Sequence, residues 1–183
     1  METLNGGWTV IQKRVDGSTS FDKLWSEYKE GFGSPEQNVW IGNDVIHQLT
    51  KGNGSSLYVS ITQVSGTTLY ELYGRFSIAN EAEKYRLFLA GNVTGTLGDS
   101  MLNTIDPDEH DLSGMYFSTH DNNNDLSGGF NCAAEAGGGW WFRDCYSAFL
   151  NGLWSSTAWA NPWAPTIRSG TSVSKTLMMI KRH

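Results

Sequence analysis

Residues 121–145 read DNNNDLSGGFNCAAEAGGGWWFRDC, and this stretch limits the fold more than any other part of the chain. It begins with five consecutive side chains that carry oxygen atoms, Asp121 to Asp125, and continues through Ser127 and two glycines. Ca²⁺ binds oxygens from carboxylates, amides and backbone carbonyls on flexible loops. Asn and Asp also form tight turns by bonding their own backbone. The run therefore predicts either a calcium loop or a simple turn.

The spacing of this run does not match an EF-hand. Asp121, Asn123 and Asp125 would occupy positions 1, 3 and 5 of such a loop. However, Leu126 stands where the motif requires glycine, and Cys132 stands where it requires a bidentate glutamate. The sequence excludes an EF-hand, whereas a calcium loop of a different kind and a simple turn both remain open.

Cys132 and Cys145 are the two cysteines of the chain. They fit neither a zinc quartet nor a C-x-x-C redox pair, and we interpret them as one disulfide bond. A disulfide indicates an oxidising compartment, so we expect a secreted, extracellular protein. Two triplets of the N-glycosylation type, at Asn53 and Asn92, agree with that expectation.

Composition narrows the class of protein further. The 183 residues suit one domain, and 13% aromatic but only 17% charged residues are typical of a rigid, loop-rich extracellular domain. The net charge of −6, without a cluster of basic residues, argues against nucleic-acid binding. No apolar run approaches the length of a membrane span, and nothing resembles a signal peptide.

The hydrophobic pattern predicts an α+β fold whose first half is regular and whose second half is built from loops. Apolar residues at helical spacing predict a helix from Phe21 to Tyr28, capped by Ser18 or Ser20 and ended by Gly31. A second helix is predicted to begin at Asn43, to stop by Gly52, and to turn three side chains inward: Val45, Ile46 and Leu49. Alternating patterns predict strands over residues 7–15, Leu57–Val64, Leu69–Ile78, Tyr85–Ala90 and Ser174–Ile180.

Several ordered motifs resemble the fibrinogen C-terminal, or fibrinogen-related, domain family, whose members include ficolins and tachylectins. The resemblance runs from Gly6 to about Ile180. It rests on the segments GGWTVIQKRVDGSTSF, LWSEYKEGFG, VWIGNDVIHQLT, NEAEKYRL, GMYFSTHDNNND and NCAAEAGGGWW. It implies a single domain with an incomplete N-terminal subdomain, a twisted antiparallel sheet body over about residues 35–115, and a Ca²⁺- and ligand-binding lobe over about 116–175.

The resemblance also implies a Ca²⁺ cofactor. The family loop uses two aspartates, of which Asn123 replaces the first and Asp125 matches the second. The backbone carbonyl donors then fall at about Ser127 and Gly129. One formal charge fewer implies a weaker site, which Asp121 can offset only if the loop tightens.

The family's acetyl-binding pocket lies beside a cis peptide that here corresponds to Asp144–Cys145. The aromatic cage of that pocket is largely missing, because Ala136, Thr157 and Ser169 stand where rings are expected and Tyr146 replaces a histidine. Other rings surround the same shortened loop, either as a remodelled sugar site or as core. The expected ligand-binding residues are Asp144, Cys145, Tyr146, Trp154, Ala158 and Trp159, with Phe149 nearby.

Two functions remain open after this comparison of motifs. The first is an innate-immune lectin that binds carbohydrate or acetylated ligands on microbial or host surfaces. The second is a protein–protein module that binds a peptide or receptor, with Glu135 and Asp144 as carboxylates for a peptide amine. We do not expect an enzyme, because no histidine has a Ser or Cys partner in a nucleophile motif. Homo-oligomers would form through regions outside this chain.

Overall fold

A computed structural model describes residues 7–52, 54–102, 111–154, 163–164, 166–167 and 171–183 of the chain. Within these residues the chain has the predicted α+β character, with one large antiparallel sheet and a few short helices. No helix in these ranges has both the length and the apolar character needed to cross a membrane.

The strands account for most of the regular structure. They are β1 (Thr9–Arg14), β2 (Phe32–Gly33), β3 (Val39–Trp40), β4 (Ser55–Gln63), β5 (Thr68–Ile78), β6 (Leu87–Gly95), β7 (Phe117–Ser118), β8 (Trp140–Trp141) and β9 (Val173–Arg182). The helices are α1 (Trp25–Glu30), α2 (Asn43–Thr50), α3 (Cys132–Ala136) and a 3₁₀ turn (Glu81–Glu83).

Seven strands form one sheet in the order β2-β3-β1-β9-β4-β5-β6. The last strand in the chain, β9, lies between β1 and β4, so Ile180 faces Thr9 on one side and Leu57 on the other. The sheet body, as we call these seven strands with α1 and α2, therefore includes strands outside residues 35–115. It draws on both ends of the chain.

The core of the sheet body follows from strand alternation. Leu57, Val59 and Ile61 are every second residue of β4, and all three are fully buried. Ile46 of α2 and Tyr73 of β5 belong to the same buried cluster. The predicted alternation of β4 is thus the pattern that places α2 against the sheet.

The first helix is shorter than predicted. It begins at Trp25, after an extended Leu24, and does not extend back to Ser18 or Ser20. The Ser20 hydroxyl instead accepts a hydrogen bond from the Asp22 amide at 3.2 Å. A serine that bonds nearby backbone favours a turn over a helix, which accounts for the late start.

The second helix agrees with prediction at its start and near its end. Ile46 is buried and Leu49 is half-buried, as expected, but Val45 is 43% exposed. Ile46 and Thr50 are four residues apart and share the inward face, so the adjacent Val45 points away from it.

Strand β6 continues past its predicted end at Ala90. Gly91 has φ +84° and lies opposite Gly74, where the pairing with β5 shifts register between Tyr73 and Arg75. A glycine in a bulge lets a strand resume after an irregular residue. Because this bulge breaks the alternation of buried and exposed residues, the sequence pattern does not predict the second half of β6.

The lobe, by which we mean residues 111–154, has little regular structure. Its strands β7 and β8 are two residues each and pair Phe117 with Trp141 and Ser118 with Trp140. Trp40, Trp140 and Trp141 are fully buried, whereas Trp8 and Trp25 are half-buried. Large rings therefore provide the core of the lobe.

Candidate functional site

The predicted disulfide joins the start of α3 to the loop after β8. Cys132 and Cys145 are bonded, with their Cα atoms 5.5 Å apart. Helix α3 begins after Asn131, whose side-chain oxygen accepts a hydrogen bond from the Ala134 amide at 3.0 Å, and it ends at Gly137 in a left-handed conformation. A side-chain cap and a C-terminal glycine are the usual ends of a short helix.

The Asp144–Cys145 peptide bond is cis, as the family resemblance implies. The Asp144 side chain is exposed. It is not among the residues that line the cavity next to the disulfide. The backbone here thus has the cis peptide of the predicted site, whereas the Asp144 side chain lies on the surface around the cavity.

A cavity of about 310 Å³ lies against the disulfide. Its walls are Cys132, Glu135, Ala136, Cys145 and Tyr146. Ala136 lines this cavity at the position where a family cage aromatic is missing, so a methyl group stands in place of a ring. The cavity combines one carboxylate, one aromatic ring and an apolar floor.

Tyr146 is held in place by other rings. Its ring centroid is 4.8 Å from that of Phe149 and 5.8 Å from that of Phe142. Burial raises the pKa of Tyr146, so its hydroxyl is protonated at neutral pH. Phe149 is only 1% exposed, and it therefore supports Tyr146 as core instead of contacting a ligand.

The position of Trp154 differs from our prediction of a pocket wall. Its indole ring lies 5.2 Å from the Arg14 guanidinium and next to Gly17, near the N-terminal end of the sheet body. It does not line the cavity at the disulfide. A cation near an aromatic face is favourable, so this contact stabilises the observed position of Trp154.

Four residues of the predicted pocket lie outside the described residues. They are Thr157, Ala158, Trp159 and Ser169. Of the predicted ligand-binding residues, the structure thus brings Cys145 and Tyr146 together. It adds Glu135, which the sequence indicates only as a carboxylate for a peptide amine.

The Asp/Asn run forms a closed loop through its own side chains. Asp125 accepts hydrogen bonds from the Ser127 amide at 3.0 Å and from the Cys132 amide at 2.9 Å, one on each carboxylate oxygen. Asn123 accepts one from the Asp125 amide at 3.1 Å. These contacts are the turn chemistry predicted for the run. They also tie the loop directly to the cysteine that lines the cavity.

Asp121 faces away from these oxygens. It accepts hydrogen bonds from the Thr119 hydroxyl at 2.7 Å and from the Trp25 amide at 3.0 Å. Partial burial alone would raise the pKa of Asp121, but hydrogen bonds from Thr119, from the Trp25 amide and from its own backbone, together with nearby His120, keep that pKa below its ordinary value. In this structure Asp121 stabilises α1 and does not compensate for Asn123.

The donors around Asp125 suit a hard cation but supply little charge. The sequence predicts as donors one carboxylate, one amide oxygen and the carbonyls near Ser127 and Gly129, all oxygens of the kind that Ca²⁺ prefers. Each carboxylate oxygen that accepts one hydrogen bond keeps a further lone pair. Within the described residues, no three His, Cys, Asp or Glu side chains gather where they could hold a metal. The donor set therefore fits a weak calcium site.

A larger cavity of about 560 Å³ lies in the sheet body, and no sequence motif pointed to it. Its walls come from α2, β5, β6 and residues 111–114, which are far apart in the chain. His47 on its rim contacts the Ile78 carbonyl through Nδ1 at 2.9 Å. A carbonyl can only accept, so Nδ1 carries the proton, and this bond ties α2 to the end of β5.

Comparisons with known proteins match the whole chain. The family model for "Fibrinogen beta and gamma chains, C-terminal globular domain" matches residues 1–183. Fibroleukin of Bos taurus is 47% identical over 152 residues, which are 83% of this chain and 34% of that protein. The chain thus spans about a third of the length of this curated relative.

Solved structures show the same fold. The fibrinogen-like globe domain of human ANGPTL2 is 34% identical and superposes with a TM-score of 0.87 over 98% of this chain and 82% of that one. Lamprey fibrin D-dimer, complexed with the peptide ligand Gly-His-Arg-Pro-amide, is 32% identical with a TM-score of 0.86. That match covers 98% of this chain and 62% of the lamprey one.

Proposed function

This chain belongs to the fibrinogen C-terminal domain family, and from that premise we propose that it is an extracellular recognition module that binds glycans in the cavity beside Cys132–Cys145. The observation that carries the proposal is that cavity, whose walls combine Tyr146 and Glu135 with the two cysteines of the disulfide. Aromatic rings stack on the C–H faces of sugars, and carboxylates accept hydrogen bonds from sugar hydroxyls.

The extracellular location is supported by the disulfide. Structural disulfides persist in oxidising compartments and are rare in the cytosol. Secretion would bring the module to microbial or host glycans. Since the chain spans a third of its curated relative, we propose that other parts of the protein multimerise it, because avidity compensates for weak single sites.

We propose that Ca²⁺ binds the loop at residues 123–129 and thereby stabilises the cavity wall at Cys132. Asn123, Asp125 and the carbonyls near Ser127 and Gly129 would hold it, and the ion would supply charge that keeps the loop in place. The contact from Asp125 to the Cys132 amide joins this loop to the cavity wall. Affinity should lie at the weak extracellular end, with a Kd of about 10⁻⁴ to 10⁻³ M.

We expect weak selectivity for N-acetyl groups. Ala136 leaves a methyl group where acetyl-binding relatives place a ring, so the apolar wall around an acetyl methyl is incomplete. The loss of such a wall removes about 1–3 kcal/mol of discrimination. Binding to a microbial polysaccharide should therefore resist competition by free N-acetylglucosamine or acetate.

A glycan array followed by calorimetry on the best ligand tests the proposal. Tyr146→Ala should weaken binding by about tenfold, because it removes the stacking face. Tyr146→Phe keeps the ring and should bind within a few-fold of the original chain. Trp154→Ala is the matched control, since this ring lies against Arg14 and not in the cavity.

Full inhibition by millimolar acetate would show that an ordinary acetyl pocket is intact. If Tyr146→Ala binds every glycan as well as the original chain does, the glycan proposal fails.

The second candidate function is capture of a peptide amine. Glu135 is an exposed carboxylate in the cavity wall, Asp144 is an exposed carboxylate on the surrounding surface, and the lamprey fibrin structure holds a peptide ligand. Glu135→Gln separates the two functions, because it removes a charge and keeps a hydrogen-bond acceptor. Peptide binding should fall at least tenfold, whereas glycan binding should change only a few-fold. Glu30→Gln, at the exposed end of α1, is the control for the loss of charge alone.

The calcium proposal is tested by restoring the aspartate that the family has at the position of Asn123. Asn123→Asp adds the missing carboxylate and should tighten Ca²⁺ binding by about tenfold, because affinity rises with the charge of the ligands. Asn80→Asp adds the same charge at a helix cap elsewhere and should leave Ca²⁺ binding unchanged. If calorimetry detects no Ca²⁺ in either the original chain or Asn123→Asp, the loop is only a turn.

A further inference from the structure

Strand β6 is the edge of the sheet, and only its first part is covered. In the part of the chain that the structure describes, β6 pairs with β5 on one side and has no strand on the other. Leu87 bonds to the backbone of Gly114 and Met115 at 2.8 and 2.9 Å, and Leu89 bonds to the Ser113 hydroxyl.

Beyond Leu89, no described residue bonds to the outer edge over residues 91–95. Four of these five residues are exposed, and Val93 is half-buried against the core. Residues 113–115, which cover Leu87 and Leu89, make no described hydrogen bond to this stretch. An open edge strand can pair with another chain, and natural proteins protect such edges.

The open stretch contains the triplet Asn92-Val93-Thr94. The Asn92 and Thr94 side chains are both exposed. Asn92 lies in the bulge, where its backbone nitrogen is 3.2 Å from the position that a Cβ on Gly74 would occupy. Bulges at sheet edges redirect side chains, and this one presents the acceptor amide at the surface. The sequence motif and the exposed site thus coincide.

We propose that Asn92 carries an N-linked oligosaccharide that covers the open edge of β6. The inference rests on the proposed extracellular location, because this modification occurs in the secretory route. A bulky, hydrated glycan is attached at the surface and adds solubility. At Asn92 it would stand beside the unpaired backbone groups of residues 91–95 and prevent a second chain from adding as a strand.

The modification is a transfer of a sugar chain from a lipid-pyrophosphate-linked oligosaccharide. The Asn92 side-chain nitrogen forms a bond to the anomeric carbon of the first sugar. The bond between that carbon and the pyrophosphate oxygen breaks, and the lipid pyrophosphate leaves with the electron pair. One amide proton is released. Thr94 supplies the hydroxyl that the triplet requires.

Three substitutions at Thr94 separate attachment from edge protection. Thr94→Ser keeps the triplet, Thr94→Val removes the hydroxyl with little change of shape, and Thr94→Lys removes the triplet but charges the edge. The full chain is secreted from animal cells behind a signal sequence. An N-glycanase converts a glycosylated Asn to Asp, so peptide mapping after this treatment shows whether Asn92 carried a glycan.

The original chain and Thr94→Ser should show Asp at position 92, and the other two variants should show Asn. In sedimentation, Thr94→Val should self-associate at least tenfold more strongly than the glycosylated chain, whereas Thr94→Lys should remain monomeric. Unmodified Asn92 in the secreted, folded chain overturns the proposed site. Equal monomer content in Thr94→Val overturns the protective role. Glycan-array binding, measured on the same protein samples, tests the proposed recognition function independently of the modification at Asn92.

Discussion

In the sheet body, strands of up to 11 residues bond to each other along the backbone, whereas in the lobe the two strands are two residues long. In the lobe, side chains bond to several backbone carbonyls in addition to the backbone bonds of its turns. Arg14 donates to the carbonyls of Leu150 and Gly152, and Asn151 donates to the Gly139 carbonyl at 3.0 Å. A region without regular structure still has to satisfy its buried polar groups, and here long polar side chains do so.

The two regions also differ in what fills them. The sheet body packs Leu, Val and Ile from alternating strand positions, while the lobe packs rings that reach across to the body. Trp141 contacts Trp40, Phe76 and Phe117, with ring centroids 5.2 to 6.4 Å away. The comparison indicates that the lobe is stable only while it is attached to the sheet. The first three changes below test that dependence and the fourth tests a group of the sheet body alone, in order from the largest effect to the smallest.

Trp141→Ala should be the most damaging change. It opens a cavity between the lobe and the sheet body and leaves the Tyr85 carbonyl without the indole N–H that now bonds it at 2.8 Å. We expect a loss of about 3–5 kcal/mol in the free energy of unfolding, measured by urea titration. Trp154→Ala, at a half-buried ring, should cost clearly less. Equal costs would mean that Trp141 does not join the two regions.

Removal of the disulfide should loosen the lobe and spare the sheet. In the chain-entropy account, a bond across a sequence separation of 13 stabilises by about 3 kcal/mol. The Cys132→Ala, Cys145→Ala double variant should lose that amount. Amide hydrogen exchange should rise in α3 and remain slow in β4 and β9. Faster exchange in β4 to the same extent would show that both regions unfold as one unit.

Arg14→Met should weaken the link from β1 to the lobe by about 2 kcal/mol. Burial lowers the pKa of the Arg14 guanidinium to about 10, so it is charged at neutral pH and bonds strongly to the carbonyls it reaches. Methionine fills the space but leaves the Gly152 carbonyl without this donor. Arg75→Met, at an exposed position of β5, should change stability by less than about 0.5 kcal/mol.

Glu71→Gln should have the smallest effect, and the effect should depend on pH. Burial raises the pKa of Glu71, although the Gly98 amide donates to it at 2.6 Å. The folded chain therefore holds this proton more tightly than the unfolded chain does. Stability from this group is present at low pH and is lost as the pH rises from the unfolded value of about 4.3 through the folded pKa.

Glutamine does not ionise, so the variant does not lose this stability. Its free energy of unfolding should therefore rise relative to that of the original chain above about pH 4.3. Urea midpoints between about pH 3.5 and 7 measure the difference, with Glu30→Gln as the exposed control. A difference that shrinks as the pH rises would contradict the assignment.

The same contrast explains what sequence can predict. Leu57, Val59 and Ile61 alternate because one face of β4 is buried, so the strand is visible in the sequence itself. The helix at Asn43 can be predicted from the spacing of its apolar residues, and the single disulfide can be predicted because the chain has only two cysteines. The family motifs supply the rest of the fold.

The site is predicted less completely, because its geometry depends on contacts between distant residues. The contact of Trp154 with Arg14 spans 140 positions and leaves no local pattern, so the sequence does not indicate it. Glu135 faces the cavity only because α3 is capped by Asn131 and bonded through Cys132. The second half of β6 follows a bulge that interrupts its alternation.

The position of β9 has a consequence for how the chain is made. This strand comprises residues 173–182, yet it separates β1 from β4 and is the one connection between the two halves of the described sheet. A ribosome makes β9 after every other strand of the described sheet, so the nascent chain holds β1 and β4 without their shared partner until β9 has been made. Pairings between distant segments form slowly, and unpaired strand edges are prone to aggregation. The order of synthesis thus makes the final ten-residue strand the step that commits the whole domain to its native sheet.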